Sequence, residues 1–203
     1  MSLEEFIIKQ PPRLNLDDFI PLMGGRNRPA IKRILDEHRE LFRISPGSRK
    51  NHHSWEGGYW DHITECLNLA VSHYTLWNAM RPRPYQLWEA LEVLFLHDLE
   101  KPWKYTPHVT PPVIVRDLSR KEDRAQFRLD MINLYGISLN SEQQNALKYC
   151  EGELGDYKAD TRMMRPLAHL CHTCDETSAR QWPDYPDAAQ DEWIGASRVS
   201  ASS

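Results

Sequence analysis

The sequence is poor in the features that mark secreted, membrane-spanning or strand-rich proteins. Four cysteines among 203 residues are too few for a disulfide framework. Two of them, Cys171 and Cys174, are spaced to share one buried helix face, with a zinc site as the less favoured alternative. No apolar run approaches the roughly 18 residues that a membrane span needs. The only β-branched run is at 112–115. We therefore expect a cytoplasmic protein without a sheet.

The chain also lacks an excess of positive charge. Its net charge is -4 and its pI is about 6.1, which argues against a surface that coats nucleic acid but leaves room for a local basic cleft. The first residues are acidic where a signal peptide would be basic, so export is not expected. With 40% hydrophobic and 27% charged residues, the composition is that of a single globular domain with a substantial core.

Apolar residues recur at helical spacing along most of the chain, which predicts an all-α fold. The predicted helices span 29–42, 59–80, 85–99, 119–135, 161–180 and a stretch starting at a capping-box pattern at 141–144. We divide the chain into an N-terminal arm and first helix (1–45), a helical core (46–182) and a loose polar tail (183–203). The arm at 1–25 is expected to be irregular and to lie on the surface, with one helical turn after Asn15. A proline-rich loop at 102–118 is either a functional lid or a surface excursion.

An adjacent His97–Asp98 pair ends the apolar run of the third predicted helix, 85–99. Burying an imidazole beside a carboxylate costs several kcal/mol unless something pairs with both, and a divalent cation does so. The alternative is a helix end at which both groups face water. His62 lies one turn into a buried helix after the Gly57–Gly58 turn, and Asp175 lies among the inner residues of the last helix. Each is a candidate ligand, although a lone core histidine is the commoner reading for His62.

Three runs resemble the motifs of the HD-domain superfamily of metal-dependent phosphohydrolases. They are GGYWDHIT at 57–64, LHDLEK at 96–101 and HLCHTCD at 169–175. In that family a histidine on one helix, an adjacent His-Asp on another and a distant aspartate on a late helix bind one divalent metal. The resemblance, which covers about 51–180, implies His62, His97, Asp98 and Asp175 as the metal ligands.

The pattern is most similar to HD domains of bacterial 3′-to-5′ exoribonucleases, which share a His-His, Gly-Gly, His run. Those proteins also carry a nucleic-acid-binding OB module, which we do not expect here. Two departures matter. Glu100 replaces the usual glycine, and 149–153 stands where HD domains with two metals have a pair of histidines. We therefore expect a mononuclear centre.

Mixed imidazole and carboxylate ligation suits Mn²⁺, Fe²⁺, Co²⁺ or Zn²⁺ more than Mg²⁺, which remains possible. Glu100 is a candidate for activating the water that attacks phosphorus, and its alternative role is to orient an imidazole. His53, or its neighbour His52, is a candidate general acid or contact to the leaving phosphate. The alternative is a pair of exposed loop histidines.

Four cations are candidates for holding a substrate phosphate: Arg49, Lys50, Lys101 and Lys104. For each of them, ordinary surface charge is the alternative. Trp55 could stack on a base, or it could pack in the core.

The function we expect is hydrolysis of a phosphate ester or anhydride of a nucleotide, most simply a (deoxy)nucleoside mono- or triphosphate. One alternative is a 3′-to-5′ exonuclease on single-stranded RNA or DNA. Another is a non-catalytic HD-type protein that binds nucleotides. The expected partner is a small nucleotide, with nucleic acid possible as a substrate, no membrane and a possible homo-oligomer.

Overall fold

A computed structural model describes residues 13–106 and 117–181, and in these two stretches the chain forms helices joined by turns and loops, with no β-strand. The predicted all-α class is confirmed. None of the helices in the described stretches is long and apolar enough to cross a bilayer. The β-branched run at 112–115 and the polar tail at 183–203 lie outside the described residues. The helices are α1 Leu16–Phe19, α2 Arg28–Ile44, α3 Gly58–Met80, α4 Leu87–Leu96, α5 Lys101–Tyr105, α6 Lys121–Leu134, α7 Ser141–Tyr149 and α8 Pro166–Arg180, with 3₁₀ turns at Ile20–Leu22 and Leu154–Asp156.

The N-terminal arm contributes more to the core than the sequence suggested. The helical turn predicted after Asn15 is present as α1. Leu16, Phe19 and Met23 are almost completely buried, so the described part of the arm does not merely lie on the surface. Burial of such side chains stabilises the fold by roughly 1.5–3 kcal/mol each.

The helix that leads to the His-Asp pair ends earlier than predicted. Helix α4 stops at Leu96, and His97 and Asp98 lie in the turn that follows it. Pro102 was expected to stop the helix, but it lies in the first turn of α5, where a missing N–H costs nothing. The turn between α4 and α5 therefore carries both His97 and Asp98.

Two helix starts also differ from the prediction. The cap of α7 is Asn140, whose side chain accepts from Gln143 N–H, and the capping box predicted at 141–144 begins one residue earlier. Helix α8 begins at Pro166 and not at residue 161, because Thr161 belongs to a bridge with Lys158 and Pro166 favours the first helical position.

Helix α3 is the central element of the fold. It packs against α2, α4 and α8, while α4 and α7 pack against the other side of α8 and against each other. From Gly58 to Leu67 every residue of α3 is buried, including the polar ones. The first half of α3, the end of α4 and the middle of α8 therefore meet in the interior.

The turn before α3 depends on its two glycines. Gly57 has φ 80°, in the left-handed region that favours glycine. A Cβ on Gly58 would lie 2.0 Å from the carbonyl oxygen of His53, so no side chain fits there. Gly47 N–H donates to that same carbonyl at 2.8 Å, and Tyr59 N–H donates to the Ser45 carbonyl at 3.0 Å. These contacts close the 45–58 loop over the start of α3.

We predict that Gly58→Ala destabilises the protein by about 1–3 kcal/mol, because the added methyl group displaces the backbone at His53. Chemical denaturation of the two proteins measures the difference. Gly25→Ala is the matched control, since nothing lies within 4 Å of a Cβ at that position. Equal destabilisation by both substitutions would contradict the close packing described for Gly58.

Candidate metal centre

The structure brings all four predicted ligands to one point. His62 lies on α3, His97 and Asp98 lie in the turn after α4, and Asp175 lies on α8. Both histidines and Asp98 are buried, and the Asp175 side chain is 15% exposed. Asp175 is therefore the most exposed of the four candidate ligands.

Nitrogen and oxygen atoms of the four side chains lie within a few ångströms of one another. His62 Nε2 is 3.3 Å from Asp98 Oδ2 and 3.3 Å from Asp175 Oδ1. His97 Nε2 is 3.2 Å from the same Asp98 oxygen and 3.6 Å from Asp175 Oδ1. Ligand atoms at about 2.1 Å from a shared ion lie about 3 to 3.4 Å apart, so this spacing needs little adjustment to hold a metal.

Both imidazoles present Nε2 to the centre because their Nδ1 atoms are engaged elsewhere. His97 Nδ1 lies 2.7 Å from the Leu94 carbonyl, which accepts its proton. His62 Nδ1 lies 3.0 Å from Ser178 Oγ. Within the described stretches, His97 Nε2 and Asp98 Oδ2 are buried atoms without a well-oriented hydrogen bond. The contacts of the Nδ1 atoms therefore leave the Nε2 atoms facing the centre, in an arrangement suited to holding a metal ion.

Cys66 is a further member of this group that the sequence did not single out as a ligand. Atoms of His62, Cys66, His97 and Asp175 all lie within 4.8 Å of one another. The thiol lies 3.8 and 3.9 Å from the two ring nitrogens of His62 and can donate to the Cys174 carbonyl. Burial and the charge of Asp175 raise its pKa, which disfavours the thiolate that a metal would need.

The charges at the centre balance one another without a metal. Burial lowers the pKa of His97, but the nearby carboxylates of Asp98 and Asp175 outweigh it and raise the pKa to about 10. Burial raises the pKa of Asp98, but Lys101 and His97 hold it well below its usual range. Burial raises the pKa of Asp175, but the neighbouring imidazoles of His62 and His97 outweigh it and lower that pKa. Two carboxylates thus face two cations, His97 and Lys101.

The neighbouring side chains of Lys101 and Glu100 have different partners. The Lys101 ammonium pairs with Asp98 Oδ2 at the centre. Glu100 is buried and accepts from Arg128 Nη1 at 3.0 Å, and Arg128 also lies 3.7 Å from Glu151. Burial raises the pKa of Glu100, and the opposing charge of Arg128 offsets that only in part. Glu100 is thus engaged by Arg128, and both roles that the sequence left open for it, activating water and orienting an imidazole, stay predictions.

The two loop histidines lie beside His62. The His52 and His53 rings are 4.8 and 5.2 Å from the His62 ring, and their Nδ1 atoms are 3.0 Å apart. His53 is buried, with φ 51°, while His52 is half-buried. Burial, His62 and Lys101 lower the pKa of His52 to about 2, so its imidazole is neutral. Neither histidine is the exposed loop residue considered as the alternative.

The remaining candidates for substrate binding are dispersed. Arg49 and Lys50 are exposed on the loop that precedes α3. Lys104 is half-exposed on α5 and donates to the Tyr105 hydroxyl at 3.2 Å. Trp55 is buried against the His53 ring, and its indole N–H donates to Asp61 at 2.8 Å, so it packs in the core. A role for the three cations in holding a phosphate stays a prediction.

Two buried residues near the ligands were missed by the sequence analysis. Glu65 lies one turn after His62 on α3, and Ser178 lies one turn after Asp175 on α8. Ser178 Oγ donates to Glu65 Oε2 at 2.8 Å. The spacing of three residues from a candidate ligand is the signal that could have found both, because such residues share a helix face.

Comparison of the chain with protein-family models, with curated proteins and with solved structures finds no match. The fold and the site define the class of the protein. It is a helical protein with a buried His, Cys and Asp group that could hold a metal ion.

We predict that the parent protein binds one divalent ion per chain and that binding raises its stability. An ion at about 100-fold above its Kd adds about 2.7 kcal/mol to the free energy of unfolding. Asp98→Asn should abolish most of this gain, whereas Cys66→Ala should keep it, because the thiol is not needed as a ligand. Thermal unfolding with and without Mn²⁺, Co²⁺ or Zn²⁺ measures both. Loss of the gain in Cys66→Ala alone would assign the thiol to the ligand set.

We also predict that metal binding releases about one proton at pH 7, because His97 is protonated in the metal-free protein. The pKa of His97 is raised from 6.5 to about 10, so its contribution to the stability of the metal-free fold is full below pH 6.5 and is lost as pH rises through about 10. Metal affinity should rise over the same interval. Calorimetry in two buffers of different ionisation enthalpy counts the protons, and binding without proton release would contradict this protonation state.

Proposed function

We propose that the protein is an HD-type, metal-dependent phosphohydrolase that acts on a nucleotide, a (deoxy)nucleoside mono- or triphosphate. The observation that carries the proposal is the convergence of two imidazole Nε2 atoms and two aspartate oxygens within 3.2 to 3.6 Å at the meeting point of α3, α4 and α8. The order of these residues along the chain agrees with the HD resemblance.

One divalent transition ion, Mn²⁺, Fe²⁺, Co²⁺ or Zn²⁺, would be held by His62, His97, Asp98 and Asp175. When bound, such an ion supplies Lewis-acid polarisation of a phosphoryl oxygen and lowers the pKa of water. The leading contribution of the protein is to keep both Nε2 lone pairs directed inward, through the Leu94 carbonyl and through Ser178. Mixed nitrogen and oxygen donors favour these ions over Mg²⁺.

Lys101 is the cation best placed to act on a bound phosphate. Burial lowers its pKa, but the charge of Asp98 outweighs that and raises it, so the ammonium stays charged. It would stabilise negative charge that develops on a phosphoryl oxygen beside Asp98. Lys104 lies one turn after Lys101 on the short α5 and would add positive charge for a second phosphate.

His52 and Glu100 complete the surroundings of the reacting group. The half-buried, neutral His52 would accept a hydrogen bond from a hydroxyl of the substrate, and the contact of its Nδ1 with His53 would hold the ring in place. Glu100 neutralises Arg128 and holds α6 against the turn that carries His97 and Asp98. In this arrangement His53 acts through His52, whereas the sequence alone favoured His53 for direct contact.

The proposal is tested by hydrolysis of a nucleotide panel with metal-stripped protein to which Mn²⁺, Co²⁺, Zn²⁺ or Mg²⁺ is added back. We expect metal-dependent release of phosphate or pyrophosphate from one nucleotide class. Asp98→Asn should lose both metal and activity, and Lys101→Met should keep the metal while kcat falls roughly 100-fold or more. Glu92→Gln, which changes a buried carboxylate on α4 bonded to Asn27, Gln143 and Gly24 N–H and not to a ligand, is the control.

Absence of turnover across the panel would refute the nucleotide assignment. Trimming of a short labelled RNA or DNA from its 3′ end would then support the exonuclease alternative. Metal binding with no hydrolysis of any phosphate ester would indicate a binding protein that has lost turnover.

A further inference from the structure

Glu65 is a buried carboxylate that links the two helices carrying the outer ligands. Its Oε2 accepts from Ser178 Oγ at 2.8 Å and lies 3.2 Å from His53 Nε2. Glu65 shares α3 with His62, and Ser178 shares α8 with Asp175. One oxygen atom therefore connects α3, α8 and the loop that precedes α3.

The branch through Ser178 determines where His62 carries its proton. A serine hydroxyl has a single hydrogen, and an ionised carboxylate can only accept, so Ser178 donates to Glu65. Ser178 Oγ must then accept from His62 Nδ1, which lies 3.0 Å away. A neutral imidazole with its proton on Nδ1 has its lone pair on Nε2, the atom that faces Asp98 and Asp175.

The second branch orders the loop histidines in the same way. His53 Nε2 lies at ion-pair distance, 3.2 Å, from the Glu65 carboxylate, whose charge favours a proton on this nitrogen, and that proton leaves His53 Nδ1 as an acceptor. His52 Nδ1, 3.0 Å away, then donates to it, and the lone pair of His52 lies on its Nε2. His53 holds this orientation at φ 51°, in the left-handed region that non-glycine residues rarely adopt.

We propose that Glu65 is a positioning residue that sets the tautomers of three imidazoles: His62 through Ser178, His53 directly, and His52 through His53. The proposal rests on the proposed function only where it concerns metal affinity. Its effect is to keep His62 ready to bind a metal and to leave the Nε2 lone pair of His52 available to a ligand.

Ser178→Ala is the sharpest test, because it removes one hydroxyl on the buried face of α8 and leaves every proposed ligand in place. We expect the affinity for Zn²⁺, measured by competition with a chromophoric chelator, to fall 10- to 100-fold. Ser178→Thr keeps a hydroxyl and should restore it. Glu65→Gln keeps an acceptor without its charge and should give an intermediate loss.

Two substitutions outside this network control for general effects of removing a hydroxyl or a buried carboxylate. Ser72→Ala removes the half-buried hydroxyl on α3 that donates to the Asn68 carbonyl. Glu92→Gln changes a fully buried carboxylate that accepts from Asn27, Gln143 and Gly24 N–H. Both should bind Zn²⁺ with the affinity of the parent.

A readout independent of metal is the tautomeric state itself. Long-range ¹H–¹⁵N correlation spectra of the metal-free protein, labelled at its nine histidines and assigned with single His→Gln variants, show which nitrogen carries each proton. We expect the proton of His62 on Nδ1 and that of His53 on Nε2 in the parent, with the preference of His62 lost in Ser178→Ala.

The outcomes separate this proposal from the proposed function. A parent that binds no metal but shows these tautomers would refute the metal centre and support the positioning role. A parent His62 protonated on Nε2, or a Ser178→Ala protein with the parent's tautomers and Zn²⁺ affinity, would overturn the positioning role while leaving hydrolysis open.

Discussion

The fold depends on placing two imidazoles and two carboxylates together in its interior. Each of these groups is costly to bury alone, and removing one partner of such a set leaves an uncompensated charge. The central position of α3 brings His62 to that point, the turn between α4 and α5 brings His97 and Asp98, and α8 brings Asp175. The apolar packing among these helices offsets the free-energy cost of burying these charged groups together.

The imidazole nitrogens that face away from the centre have fixed hydrogen-bond partners of their own. The Leu94 carbonyl accepts from one imidazole, and a serine bound to Glu65 accepts from the other. Such contacts restrict ring rotation and choose which nitrogen is available. Because the anchors come from the backbone of α4 and from the side chains of α3 and α8, the geometry of the centre is linked to the packing of those helices.

Positive charge at the centre has two distinct functions in this arrangement. The protonated His97 and Lys101 compensate the two aspartates in the metal-free protein. Under the proposed function, a metal ion would take the place of the proton on His97, whereas Lys101 would remain as a cation available to a substrate phosphate. Arg128 does not share this task, because Glu100 and Glu151 neutralise it on the α6 side of the turn.

Much of the architecture was predictable because helical periodicity and glycine turns are local properties of the chain. The all-α class, the turn of helix after Asn15 and the start of α3 at the Gly57–Gly58 turn are examples. Element ends were less predictable. Helix α4 ends at Leu96, α8 begins only at Pro166, and Asn140 caps α7. The position of each of these helix ends depends on which of several competing hydrogen bonds the packed neighbours allow.

The sequence by itself determined which residue types could bind a metal and in what order they occur. The adjacent His97–Asp98 pair and the helical spacing around His62 and Asp175 are properties of the sequence alone. Only the tertiary structure decided their separation and their partners. Glu65 and Ser178 are 113 positions apart, and no local pattern predicts that one hydroxyl links them. Which nitrogen of an imidazole is free, and which carboxylate is neutralised, depends on atoms that only packing brings within hydrogen-bond distance.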